Sequence, residues 1–146
     1  MPYHVTFLDD IAVADMAFEA VADSAPELFT AATEAMIESL ADPATVGRTW
    51  QHDVDRRAQD LASLLFEWLE ELTYLKDAHG VVFHKATLTL ERLPGDSGWR
   101  LHGRLHGEPV APDRQALRSD VKGVTKHLYD VRQEGGRWKA RVVLDV

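Results

Sequence analysis

The 146-residue chain reads as an α+β domain, with two helices packed on a mainly antiparallel sheet. Two observations predict this class. Two stretches carry apolar residues at helical spacing, and two pairs of alternating stretches are joined by tight, glycine-containing turns. Their order is strand, helix, strand, helix and then a run of strands, which places the helices against one antiparallel layer. With 45% apolar residues the chain suits one compact domain, spanning 1–146.

The first strand is predicted by Met16, Phe18 and Ala20 alternating with Asp15, Ala17 and Glu19. The first helix opens at SAPE, with Ser24 as N-cap, Pro26 in the first turn and Glu27 placed for a capping box. Leu28, Phe29, Ala32, Met36 and Leu40 then form its apolar face. Trp50, His52 and Val54 alternate as a second strand. The second helix is predicted from about Ala58 to Lys76, on the spacing of Leu61, Leu64, Leu65, Trp68, Leu69, Leu72 and Leu75. Glu67, Glu70 and Glu71 read as its solvated face. Ala86, Leu88 and Leu90 lead into PGDSG at 94–98, and Trp99, Leu101, Gly103 and Leu105 lead out, a hairpin signature. A second hairpin joins Val121–Arg132 to Arg137–Val146 through EGG. Between them GEPVAPDRQALRSD, with two prolines, has the length of a binding loop.

The composition excludes several classes. Without cysteine there is no disulfide, thiolate metal site or cysteine nucleophile, which fits a cytoplasmic protein. The opening MPYHVTFLDD shows no signal-peptide pattern, and no apolar run reaches the ~20 residues of a membrane span. A net charge of −8 argues against direct nucleic-acid binding and suits steering toward a basic partner surface.

Several clusters of polar residues are candidates for chemistry. In QHDVD, His52 alternates away from Asp53 and Asp55, so the group reads as a polar strand edge. In RLHGRLHG, Arg100, His102, Arg104 and His106 share one face, which reads as a solvated sheet surface. His84 and His127 are lone histidines within strands. No nucleophile–base pair, phosphate-cradling loop or zinc-type histidine pair appears, so the motifs do not describe an enzyme. One feature calls for explanation: RWKARVVLDV is a half-buried strand apolar to its last residue, with Asp145 one step from the terminal carboxylate.

Four stretches resemble the archease family. LLFEWLEELTYL at 64–75 resembles its helix L-L-x-[DE]-W-L-N-E-L-L-Y-L, and DVKGVTKH at 120–127 its strand E-V-K-A-x-T-Y-H. WKARVVLDV at 138–146 resembles the C-terminal W-x-A-x-x-x-x-D-I, and ADMAFEAVADSAPELF at 14–29 the strand and helix that follow D-H-T-A-D. Gly107 and Glu108 also keep the family's spacing to Lys122. The resemblance implies an accessory protein, not itself an enzyme, of the RtcB-type RNA-splicing ligase. Such a protein promotes guanylylation and repeated turnover of the ligase in tRNA splicing and RNA repair. It also implies a divalent cation, calcium or manganese, at Asp15, Asp145 and the carboxylate of Val146. Lys122 and His127 fall in the motif taken to act on the partner, and no nucleotide cofactor is implied. A hard cation prefers such clustered oxygens. Two positions depart from the pattern: IAVAD at 11–15 replaces D-H-T-A-D, leaving Ala12 at the histidine, and APDRQ at 111–115 puts Gln115 where D-P-x-x-H has its second histidine. Their joint loss implies a remodelled local site.

Two readings from other classes stand beside this one. The first is a small metal-dependent hydrolase using Asp15, Asp145 and a histidine such as His127; the second is a metal-free, chaperone-like binding module.

Overall fold

A computed structural model of the chain describes residues 2–8 and 15–146. The elements are β1 (Tyr3–Leu8), β2 (Asp15–Ala22), α1 (Ala25–Leu40), a 3₁₀ turn at Pro43–Thr45, β3 (Trp50–Ala58), α2 (Leu61–His79), β4 (Val81–Arg92), β5 (Trp99–Pro109), β6 (Gly123–Glu134) and β7 (Arg137–Asp145). The α+β class holds, but the strands form two sheets where one was expected. A four-stranded sheet has the order β1-β2-β7-β6 and a three-stranded sheet the order β3-β5-β4. Every described pairing is antiparallel. β1 is an addition to the predicted elements; Tyr3 and Val5 face the core while His4 and Thr6 are exposed.

The helix ends follow their side chains. Ser24 Oγ accepts the Glu27 N–H at 3.3 Å and donates to Glu27 Oε1 at 2.7 Å, so the two residues cap α1 through a hydroxyl–carboxylate contact. The start predicted for α2 is corrected by three residues. Ala58 stays in β3 opposite Trp99, and Asp60 caps the helix by accepting the Ser63 N–H at 2.7 Å. A strand partner for Ala58 and a capping carboxylate at Asp60 together leave no room for an earlier first turn. At the other end Gly80, at φ 61°, takes the left-handed cap conformation that glycine adopts without steric penalty, and its N–H bonds the Lys76 carbonyl. The second hairpin begins at Gly123, two residues after the predicted Val121.

One contiguous apolar cluster joins both helices to both sheets. Trp68 lies at its centre, fully buried, and its indole N–H donates to Thr33 Oγ1 of α1 at 2.9 Å. Thr33 in turn donates to the Phe29 carbonyl at 2.6 Å, so a buried polar pair ties the helices without an unsatisfied group. Trp68 also presses on β5: a Cβ at Gly103 would sit 2.6 Å from the indole Cη2, so only glycine fits there.

Candidate functional site

The pairing of β2 with β7 brings two of the predicted residues face to face. Asp15 is the Cα partner of Asp145, at the end where both strands terminate. Directly opposed residues in an antiparallel pair hold their Cβ atoms about 5 Å apart on one face of the sheet. Asp15 is half-buried and Asp145 exposed. Among the described residues, neither carboxylate has an ion-pair partner. Like charges in this relation repel, so the pair is an electrostatic defect that a cation between them would remove.

Val146 follows directly, and its side chain packs against the core. On the other side of β7, Gly123 is the partner of Asp145, and the Lys122 N–H donates to the Asp145 carbonyl at 2.7 Å. Asp15, Asp145, Val146 and the backbone of Lys122 are therefore gathered at one tip. His127 is not. Thr125 already faces Val143, and His127 lies further along β6, exposed, with its backbone N–H on Thr125 Oγ1 at 3.2 Å.

The donors at the tip are all oxygens, which suits a hard cation in kind. In number they are few. Among the described residues no group of three or more His, Cys, Asp or Glu side chains could hold a metal. Two side-chain carboxylates would leave most calcium positions to other oxygens and water. Asp9, Asp10 and the run 11–14, including Ala12, lie outside the described residues.

The segment that delivers Lys122 to the tip is pinned throughout. Glu108, 5% exposed, accepts from Gln115 Nε2 at 2.8 Å, while Gln115 Oε1 accepts the Ala111 N–H at 2.7 Å. The Gln115 bond, joined by the Gly47 N–H and nearby Arg114, holds the Glu108 carboxyl below its ordinary range. Gln115, read from the sequence only as a missing histidine, is thus the latch of this loop. Further on, the N–H groups of Arg118 and Ser119 donate to the carbonyls of Leu40 and Ser39, at 2.9 and 3.0 Å. Lys76 completes the path. Buried in the last turn of α2, its ammonium donates to Asp120 Oδ1 and to the Val121 carbonyl, both at 2.7 Å. Its hydrogen bond and charge lower the Asp120 carboxyl. The signal for Lys76 was present in the sequence, as a lysine one turn beyond Leu72 on the apolar face. An open cleft of about 550 Å³ runs from Lys122 and Gly123 along α2 past Asp77, Tyr74 and Glu70. Glu67 and Glu71, expected to be solvated, instead reach Arg56 of β3 at 3.5 and 2.6 Å.

The other clusters remain structural. Arg104 pairs with Asp53, directly opposite, and Arg100 with Asp55 on the diagonal, two positions from His102, which stands opposite Asp55. The bonds from Arg104 and Arg100 lower both carboxyls. The arginines of RLHGRLHG are spent on these partners along an exposed sheet face. His84 Nδ1 lies 2.9 Å from the Pro43 carbonyl, where it ties β4 to the 3₁₀ turn.

The archease protein family (MTH1598/TM1083) matches residues 6–146. The archease of Methanopyrus kandleri is 33% identical over 133 residues, covering 91% of this chain and 94% of that protein. The archease of Pyrococcus furiosus is 31% identical over 134 residues, covering 91% and 93%. Protein 1598 of Methanobacterium thermoautotrophicum, solved in solution, superposes with a TM-score of 0.78 at 31% identity, covering 97% of this chain and 98% of that one. An archease and possible chaperone from Thermotoga maritima shares the fold, with a TM-score of 0.61 at 18% identity over 92% and 93% of the two chains. With the family model matched over residues 6–146 and relatives of this identity covering nine-tenths of its length, the chain belongs to the archease family.

Proposed function

We propose that this protein is an accessory factor of an RtcB-type RNA-splicing ligase, acting in the cytoplasm to promote guanylylation and repeated turnover of that enzyme. The observation that carries the reading is the opposition of Asp15 and Asp145 at the end of β2 and β7. Asp15, Asp145 and the carboxylate of Val146 would hold a divalent cation, calcium or manganese, and the Lys122 N–H fixes the last strand by its bond to the Asp145 carbonyl. A cation held there supplies positive charge at an otherwise anionic tip. The chain's own part is to present that charge rigidly: Lys76 and the Glu108–Gln115 latch hold the approach to the tip, and Lys122 stands at its rim beside the α2 cleft. Family membership and the acidic tip support this reading together. The hydrolase alternative has less support, because the β6 register leaves His127 away from the two aspartates.

The test is a ligation assay with the ligase from the same organism, GTP and manganese. The wild-type protein is expected to raise both the rate of guanylylation and the number of turnovers, and Asp145→Asn to lose that effect while remaining folded. An unchanged ligase in the presence of the wild-type protein would overturn the proposal.

A further inference from the structure

His52, which the sequence places on a polar strand edge, has a partner that no local pattern announces. It is half-buried on β3, and the ring of His79, from the last turn of α2, comes to 5.6 Å of its own, centre to centre, at an angle of 49°. Trp50 completes the cluster. Its indole stacks on His52 at 5.5 Å and 2°, and leans on His79 at 5.6 Å and 51°. On β4, fully buried Phe83 meets the same indole at 6.0 Å.

The two imidazoles are therefore held in place by the fold. The stack on Trp50 orders His52, and the glycine cap at Gly80 ends α2 immediately after His79. Neither ring is spent on the protein. Among the described residues, the histidine rings with hydrogen-bond partners are those of His4 and His84. An imidazole nitrogen binds zinc at about 2.0–2.1 Å, which sets the ion about 3 Å from the ring centre and two such rings about 5 Å apart around a tetrahedral ion. The His52–His79 separation matches that spacing. The position also favours positive charge, because the C-terminal end of a helix is the negative pole of its dipole and His79 lies in that last turn.

We infer that His52 and His79 form a two-histidine site for a zinc-class divalent metal, which clips the end of α2 to β3. Imidazole nitrogen suits zinc and its neighbours, whereas the carboxylate oxygens of Asp15 and Asp145 suit calcium or manganese. The two sites share no residue and differ in the ion they take. With two protein ligands, the remaining positions of a tetrahedral ion fall to water.

Calorimetric titration of the whole chain with zinc tests this, in excess calcium so that the acidic tip does not compete. The wild type is expected to bind one equivalent and to melt at a higher temperature with zinc than without. His52→Gln and His79→Gln should each weaken binding at least about tenfold and remove the rise. His79 is exposed, so His79→Gln should keep the metal-free melting temperature of the wild type. His79→Cys, in a chain with no cysteine of its own, exchanges one zinc-binding side chain for another and should retain the site. Asp145→Asn should leave zinc binding unchanged. Absence of zinc binding by the wild type, or an unchanged affinity in either glutamine variant, would overturn the site. A loss of zinc binding in Asp145→Asn would place the ion at the tip and overturn it equally.

Discussion

Two pairs of sheet aspartates meet opposite electrostatic fates. On the three-stranded sheet Asp53 and Asp55 each find an arginine of β5, and the charges along that exposed face cancel. At the tip of the four-stranded sheet Asp15 finds Asp145. Asp53–Arg104 and Asp15–Asp145 are both directly opposed cross-strand neighbours, so for these two the strand geometry is common and only the partner differs. Matched charges on an open face are a modest structural device. Mismatched charges in the same geometry repel and weaken the fold by themselves. The difference teaches that an acid is informative through its cross-strand partner, and not through its presence in a sequence.

The comparison breaks most visibly under calcium. At a calcium concentration of about one hundred times the dissociation constant, a single site adds about 2.7 kcal/mol to stability. Calorimetry of the wild type with and without calcium should show that gain, and Asp15→Asn or Asp145→Asn should abolish it. Adding two residues after Val146 should reduce it too, because a strand advances about 3.3 Å per residue and the terminal carboxylate moves away. An equal calcium shift in the extended protein would remove Val146 from the ligand set.

A charge swap gives the next largest effect. Asp145→Lys converts the tip into a matched pair of the Asp53–Arg104 kind, and in metal-free buffer urea unfolding should show a gain of about 0.2–1 kcal/mol. A loss of stability would mean that Asp15 and Asp145 do not repel in the folded protein, and the contrast between the two regions would fall.

The smallest effect belongs to the matched face, and it depends on pH and salt. Asp53 and Asp55 have folded-state pKa values lowered by Arg104 and Arg100. Their contribution is present above the unfolded carboxylate value of about 3.9 and is lost as the pH falls through the lower folded value. Asp53→Asn combined with Asp55→Asn should therefore lose less stability than the wild type on acidification below about pH 4. At neutral pH the deficit of that double variant should shrink in about 1 M salt, because these pairs are open to solvent. A deficit that persists in salt would show that the pairs act through packing.

Local patterns in the sequence were legible and non-local ones were not. Helical spacing located both helices, and the PGDSG and EGG turns located both hairpins, because each signal lies within the segment it describes. The start of α2 was misplaced because Ala58 satisfies a helix pattern and a strand pattern equally; its partner Trp99, 41 positions away in the chain, decides the matter. β1 has only six residues, and the alternation of Tyr3 and Val5 became meaningful only beside β2. The division into two sheets depends on β2 choosing β7, a pairing that no local feature announces. At the site, the family pattern picked out Asp15 and Asp145. The roles of Glu108 and Gln115 arise from burial, which a polar residue does not advertise, whereas Lys76 is marked only by its place on the apolar face of α2.

The placement of β7 also sets an order of assembly. β7 lies between β2 and β6, so the β1–β2 hairpin has no central neighbour until Arg137–Asp145 has been made. During synthesis α1 and the first hairpin leave the ribosome long before that strand, and the contact that joins Asp15 to Asp145 closes nearly the whole length of the chain. A chain in which β7 has not yet been made carries no assembled tip. The last strand thus acts as a checkpoint: the acidic pair comes into being only when β7 has zipped onto β2.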